Sequence, residues 1–394
     1  MHINSAHLRQ SNTDKILSLV LSKGALSRVQ ISELTGLTPA AVSRITRELI
    51  SLGRLTEGEE VVNKNRAGRR EVMLSIADQH SYVLGVTMTG NRRSFLLASA
   101  SGRMLVEHDL LDINLEDPTA ALAEVSRRLK ACLSEHDILL DQIAGIAVSL
   151  SITATGSTEH VSSSPLGWEN VNVRAQLEQS MGRPVVIEAR ATSILRAELL
   201  RGGQVESAFL INVALGVGSS AYLNRQLVTP STAGFGGVTH LAIHGDPTEC
   251  YCGRRGCLEV CGGGRGLLRY FGDQSVDVQA QNNQISTILD AAYRGDKDAK
   301  AAIAAASKNM AIGVDHVLSL FEPEKIILTG IVGRHDFYRS TLVDALHQLG
   351  RNIDSRRIQT SAIRSSDATL WLALEAFVAR DLVATIEPLH LAAS

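Results

Sequence analysis

The N-terminal quarter of the chain carries a helical hydrophobic rhythm. Between Asn12 and Ser22, the residues Ile16, Leu17, Leu19, Val20 and Leu21 recur at helical spacing, and Gly24 closes that segment. A short helix follows from Arg28 to Thr35, with Ile31 and Leu34 expected to face inward. Gly36 is suited to a tight turn because it tolerates positive φ. Thr38-Pro39 then gives an N-cap followed by proline at the first helical position. The helix it opens runs to about Leu52 and should bury Val42, Ile45, Leu49 and Ile50 while showing Ala40, Ser43, Arg44 and Arg47. Two short strands, around Leu55–Glu57 and Val72–Leu74, flank a basic tip from Lys64 to Arg70.

Three helices with a glycine turn before the third, then a two-stranded wing, predict a winged helix-turn-helix in which the third helix reads DNA. Thr38, Ala40, Ser43, Arg44 and Arg47 are the expected contacts from that helix, because small residues near its start admit the backbone to the major groove and arginine reaches guanine or phosphate. Arg66, Arg69 and Arg70 on the wing suit phosphate or the minor groove.

From Tyr82 the rhythm changes. Strand patterns at Tyr82–Val86, Ser94–Ala98 and Gly145–Leu150 alternate with a helix at Ala120–Glu135. A second set follows, with strands at Ala208–Val213 and Lys325–Leu328 and helices at Ile285–Tyr293 and Lys300–Leu320. This is α/β organisation in two lobes. The division expected is a head at 1–76 and a body at 77–394. Lobe one would span about 77–200 plus the C-terminal helix, and lobe two about 201–380.

Composition adds boundaries. With 394 residues, 44% apolar and 20% charged, the chain has ample core material for two or three domains. It shows neither a membrane-spanning apolar run nor a signal-peptide-like start, so a cytoplasmic location without membrane attachment is expected. Through Ile76 the chain has 11 Lys and Arg against 7 Asp and Glu, whereas the remainder has 28 against 34. A basic head on an acidic body fits a DNA-binding head.

Four of the five cysteines fall within a dozen residues. Cys250, Cys252 and Cys257 with His240 make a three-thiolate, one-imidazole set suited to a closed, tetrahedral structural Zn2+ site. Gly253 and Gly256 would let the loop fold back on the ion, and Cys261 is left as a spare thiol.

His240 with CxCGxxGC and then Leu258-Glu259 resembles the signature of the ROK family (repressors, open reading frames, kinases). Residues Val29–Gly58 are similar to the helix-turn-helix of its transcriptional regulators, the NagC, Mlc and XylR-type repressors. Ser163–Glu188 and Glu322–Leu328 are similar to the segments before the catalytic and adenosine-side motifs. The resemblance implies a two-lobed, actin-like ATPase fold with a sugar in the cleft of active members.

The departures from the family pattern point away from catalysis. Where kinases carry DxGGTK, this chain reads Thr87-Met88-Thr89-Gly90-Asn91-Arg92, and GTGxGxG becomes Ala214-Leu215-Gly216-Val217-Gly218-Ser219-Ser220. The nucleotide-pocket glycine motif is reduced to Thr329-Gly330-Ile331. Most telling, ENDAN becomes Glu188-Ala189-Arg190-Ala191-Thr192, so a guanidinium replaces the general base and cannot accept a proton. Gly237 replaces a sugar-binding Glu, and Ser164 and Ala189 replace Asn residues.

Together these features predict a non-enzymatic repressor of carbohydrate-related genes acting on a double-stranded operator as a homodimer or homotetramer. Ser164, Arg190, His240 and Glu259 are the expected contacts to a sugar, sugar-phosphate or sugar-acid effector. Arg190 would either pair with an anionic effector or sit in an internal ion pair. An active sugar kinase and a regulator with a degenerate, ligand-independent cleft are the alternative readings.

Overall fold

The computed structural model describes residues 5–62, 70–78, 81–152, 154–155, 160–202, 205–228, 237–272 and 277–379. The head opens with α1 (Ser5–Lys23), which buries Ile16, Leu17 and Val20 and ends at Gly24 with φ 83°. After β1 (Leu26–Ser27) comes α2 (Arg28–Thr35), where Ser27 and Gln30 form a reciprocal capping box. Gly36 terminates α2 in the left-handed region. Thr38 then caps α3 (Pro39–Ser51) by accepting the Ala41 N–H. The wing strands β2 (Leu55–Val62) and β3 (Arg70–Ile76) pair antiparallel, with β1 on the other side of β3.

Two inward expectations for the head need correction. Leu34 is 56% exposed and Ile50 is half-buried. On α2 the buried stripe runs from Ile31 to Thr35, four residues on and closer in helical angle than Leu34. Thr35 can serve there because its hydroxyl donates to the Ile31 carbonyl and its own carbonyl accepts from Lys15 Nζ.

The next unit is built on β4 (Tyr82–Met88), β5 (Arg93–Ser99) and β6 (Met104–Asp109), an antiparallel meander. It continues through α4 (Pro118–Glu135), β7 (Ile143–Leu150), β8 (Ala154–Thr155), β9 (Val161–Ser163), β10 (Trp168–Val171), α5 (Val173–Met181), β11 (Val185–Ala189) and α6 (Arg190–Gly202). The resulting five-stranded sheet has the order β11-β7-β4-β5-β6, and β8 to β10 form a small separate sheet.

A second five-stranded sheet begins with β12 (Ala208–Val213), β13 (Val217–Leu223) and β14 (Gln226–Leu227). Helices α7 (Leu258–Cys261), α8 (Gly264–Tyr270), α9 (Val278–Tyr293) and α10 (Lys297–Phe321) follow. Then come β15 (Lys325–Thr329), α11 (Gly330–Gly333), α12 (Asp336–Gln348), β16 (Ile358–Thr360) and α13 (Ser365–Phe377). The sheet order is β14-β13-β12-β15-β16, with β12, β15 and β16 parallel. Among the described residues no helix is long and apolar enough to cross a membrane.

Helix α13 does not stay with the second sheet. It returns to lie on β4 and β7, beside α6. One apolar cluster runs from Ile16, Ile31 and Leu74 of the head through Val83 and Ala147 to Leu370 and Val378. Arg54, just after α3, adds a polar tie by donating to the Val378 carbonyl at 2.5 Å. Close approach of α13 depends on Gly85: a Cβ there would lie 2.9 Å from both Leu96 Cγ and Thr369 Cγ2. Gly85→Val is therefore expected to overpack this layer and lower unfolding stability by roughly 1–3 kcal/mol. Urea denaturation measures it, and an unchanged midpoint would contradict the tight seating.

Candidate functional site

Helix α3 presents the expected reading face. Thr38, Ala40, Arg44 and Arg47 are exposed and Ser43 is half-buried, while Val42, Ile45 and Leu49 hold the opposite side in the core. Among the described residues neither Arg44 nor Arg47 has an ion-pair partner, so both guanidiniums remain available. Glu48, the acid on the same helix, is instead held by Arg9 of α1 at 2.5 Å. On the wing, Arg70 opens β3, is exposed and lies 3.5 Å from Glu60. Arg66 and Arg69 lie outside the described residues.

The four expected metal ligands come together. The ligand atoms of His240, Cys250, Cys252 and Cys257 all lie within 4.8 Å of one another. Cys252 Sγ is 3.7 Å from Cys257 Sγ, and Cys250 Sγ is 3.6 Å from His240 Nδ1. A tetrahedron with metal bonds of about 2.3 Å to sulfur and about 2.05 Å to nitrogen has edges of about 3.8 and 3.6 Å, so the donor set fits such an ion. The ligating nitrogen is then Nδ1, leaving Nε2 towards the Tyr251 hydroxyl at 3.4 Å.

The loop reaches this shape through Gly253 and Gly256, both at positive φ. A side chain at Gly256 would also strike the Ile243 and Asp246 carbonyls. Burial, and then the charge of Arg254, lower the pKa of His240 and favour the neutral ring that a metal requires. Cys261 stands one turn further on, buried, with its thiol donating to the Cys257 carbonyl.

The expected effector contacts do not share one wall. Ser164 lines a cavity of about 410 Å³ with Tyr251, Arg265, Arg269 and Gln281, but Arg190, His240 and Glu259 do not line it. Glu259 is buried and already engaged: Arg265 Nη1 donates to one oxygen and the Val217 N–H to the other at 2.7 Å. Burial raises its pKa, with Arg265 and the Val217 N–H opposing that rise. The carboxylate also fills the space beside Gly216, in the loop corresponding to the family's second phosphate motif.

The first phosphate loop is likewise filled. Thr89 N–H donates to the Arg92 carbonyl, closing the turn, and a Cβ on Gly90 would lie 3.0 Å from Val278 and 3.2 Å from Pro165. Arg190 begins α6 and is half-buried. Burial first, then the guanidiniums of Arg334 and Arg92, lower its pKa to about 10, so it remains charged at neutral pH. Among the described residues no carboxylate pairs with it.

Sequence reading missed Arg265, Arg92 and Arg334 as neighbours of this region. Nothing in local spacing signals them, because each arrives on a different part of the chain: Arg92 on the turn after β4, Arg265 on α8 and Arg334 just after α11. It also missed a buried triad in which Arg196 of α6 lies 3.4 Å from Glu188 and 2.8 Å from Glu375 of α13.

A helix-turn-helix with a wing, joined to a two-sheet body with the topology of a sugar kinase, defines the class of protein. The chain belongs to the ROK family, whose family model matches residues 83–366, and residues 11–56 match a winged helix-turn-helix DNA-binding model. It is similar to the xylose repressor of Caldicellulosiruptor bescii, at 27% identity over 82% of this chain and 84% of that one. The fold is shared with a ROK family transcriptional regulator homologous to the Escherichia coli Mlc protein. That structure gives a TM-score of 0.73 at 22% identity, over 96% of this chain and 99% of the other. The body alone is shared with a ROK hexokinase from Thermus thermophilus, with a TM-score of 0.58 at 20% identity, over 76% of this chain and 98% of that one.

The tetrahedral fit predicts one tightly held metal ion per purified chain, read by elemental analysis. Cys257→Ser should lose most of it; full retention in that variant would show that the cluster is not the binding site.

Proposed function

We propose that this chain is a transcriptional repressor of carbohydrate-related genes whose body has given up phosphoryl transfer. The observation that carries the proposal is the reading face of α3: a capped helix with Arg44 and Arg47 exposed and, among the described residues, unpaired, beside an acid neutralised by Arg9. The head spans 1–76 and the two lobes of the body occupy 77–394. Two copies of the chain would place two reader helices on half-sites about one helical turn apart. Thr38, Ala40 and Ser43 contribute close backbone approach and hydroxyl contacts, while the wing arginines Arg66, Arg69 and Arg70 contact phosphate.

Zn2+ is the ion of best fit for His240 Nδ1, Cys250, Cys252 and Cys257, and four protein ligands leave it no open position. When bound it supplies a structural crosslink, fixing the loop that carries Tyr251 and leads into α7. The kinase reading suits the body's fold, but Arg190 stands where a base is needed, Glu259 is tied to Arg265, and the Gly90 turn is packed against Pro165 and Val278. In their place the cleft gains a cation able to sense an anionic sugar derivative.

A contiguous set of contacts leads from that cleft to the reader. Glu188 lies two residues before Arg190 and holds Arg196; Arg196 holds Glu375 on α13; and Val378 just past α13 accepts from Arg54, three residues beyond α3. An effector that shifted the start of α6 would thus act on the seat of the head.

Fluorescence anisotropy on DNA from the chain's own upstream region tests the reading. Tight binding that weakens steeply with salt is expected, and Arg44→Ala or Arg47→Ala should each cost about 1–3 kcal/mol. Equal binding by wild type and both variants would refute α3 as the reader. In parallel, hexose and ATP should give no sugar phosphate above background, and turnover by the purified chain would restore the kinase reading. Arg54→Ala is expected to leave metal content intact while speeding amide hydrogen exchange in β2 and α3; unchanged exchange would show that the tie to Val378 does not hold the head.

A further inference from the structure

Arg28 is the first residue of α2, and its side chain leaves that helix for two other elements of the head. Nε donates to Thr46 Oγ1 of α3 at 3.1 Å, and Nη2 donates to Glu57 Oε1 of β2 at 2.8 Å. Thr46 is fully buried and its hydroxyl donates to the Val42 carbonyl at 2.8 Å, which leaves the oxygen to accept from Arg28. It stands one residue before Arg47 on the reader helix. Leu26 of β1, Leu74 of β3 and Glu57 lie in one row across the wing sheet, with β2 as its outer strand. Arg28 thus starts beside β1 and holds the strand two places away, about 10 Å across.

The point held is where the wing is least determined. Pairing of β2 with β3 is continuous from Leu55 to Glu57, slips between Glu57 and Glu60, and resumes out to Val62 and Arg70. A slip of this kind bends a strand and raises its twist. Gly58 sits inside it with no side chain to pack, and Glu59 beside it is exposed. The direction of the strands beyond, Arg70 included, therefore turns on how Glu57 is anchored. The two paired side chains are 30% and 50% accessible, and an ion pair that exposed adds little to folding stability. Its consequence is geometric.

We propose that Arg28 is a positioning residue for operator binding: it sets the angle between the reader helix and the wing, so that both reach the duplex together. A guanidinium suits this task, because its donors lie in one rigid plane and engage a neutral oxygen and a carboxylate at once. A lysine ammonium carries the charge without the fork. Arg28 is committed to Thr46 and Glu57, so its part is not a phosphate contact. The inference rests on the reading of α3 and the wing as the DNA-binding surface and adds the residue that joins them.

Fluorescence anisotropy of the full-length, metal-loaded chain tests it across a salt series, on duplex from the chain's own upstream region and on a random-sequence duplex of equal length. Three variants break the tie with different changes of charge: Glu57→Gln removes a negative charge, whereas Thr46→Val and Arg28→Lys leave the charge unaltered. Each is expected to bind the upstream duplex about threefold to tenfold more weakly at physiological salt. Each should also flatten the slope of log affinity against log salt by about one or more, as wing phosphate contacts are lost. Charge alone predicts the opposite for Glu57→Gln, tighter binding, since an acid near phosphate has gone. A head that was merely less stable would lose affinity equally at every salt concentration and keep the slope. Thermal unfolding identifies such a variant, and Glu57→Gln, at an exposed position, carries the test by itself. The proposal is overturned if Glu57→Gln binds as tightly as wild type or more tightly, if Arg28→Lys matches wild type, or if the variants keep the wild-type slope. Wild type that binds neither duplex defeats the repressor reading and this inference with it. Wild-type binding that Glu57→Gln leaves unchanged defeats this inference alone.

Discussion

Arg196 is buried at 3% exposure between two carboxylates from different parts of the chain, Glu188 at the end of β11 and Glu375 on α13. Removing one partner from such a triad leaves an uncompensated buried charge and costs on the order of 3–5 kcal/mol. The triad fixes α13 against α6, and with it the layer that Gly85 opens over β4. Since the apolar cluster of the head continues into that layer, the position of α3 depends on an ion network inside the body. The head is therefore not a module on a loose tether.

The same region explains how a kinase-type body comes to serve regulation. In a sheet-based cleft, the strand ends are where ligands meet backbone and side chains. Here those ends carry guanidiniums in place of a base, and Glu259 is committed to Arg265 and the Val217 N–H. The start of α6 lies two residues from Glu188, so the strand end that carries Arg190 and the support of the head share one short piece of chain.

Much of this was legible in the sequence. The Thr38-Pro39 cap, the Gly36 turn and the wing strands emerged where local rules place them, because capping and positive φ are decided within a few residues. The His240 and cysteine cluster was equally local, held in a loop shaped by Gly253 and Gly256. Leu34 misled because an eight-residue helix gives too little pattern to separate an i+3 from an i+4 stripe. The occupation of Glu259 and the influence of the Arg334 charge on Arg190 depend on helices and loops far apart in sequence. The return of α13 to the first sheet could be read from the resemblance, but its continuity with the head could not, since nothing local to Ile16 or Val378 announces that they share a core.

The account stands or falls on repression. Transcript levels in cells lacking this chain, compared with their parent, test it most directly when read at genes whose upstream DNA the purified chain protects. The account predicts that transcripts of sugar-handling genes next to protected sites rise when the chain is absent and fall again when it is resupplied, but not when it is resupplied as Arg44→Ala. Falling or unchanged transcripts at every protected site would contradict it.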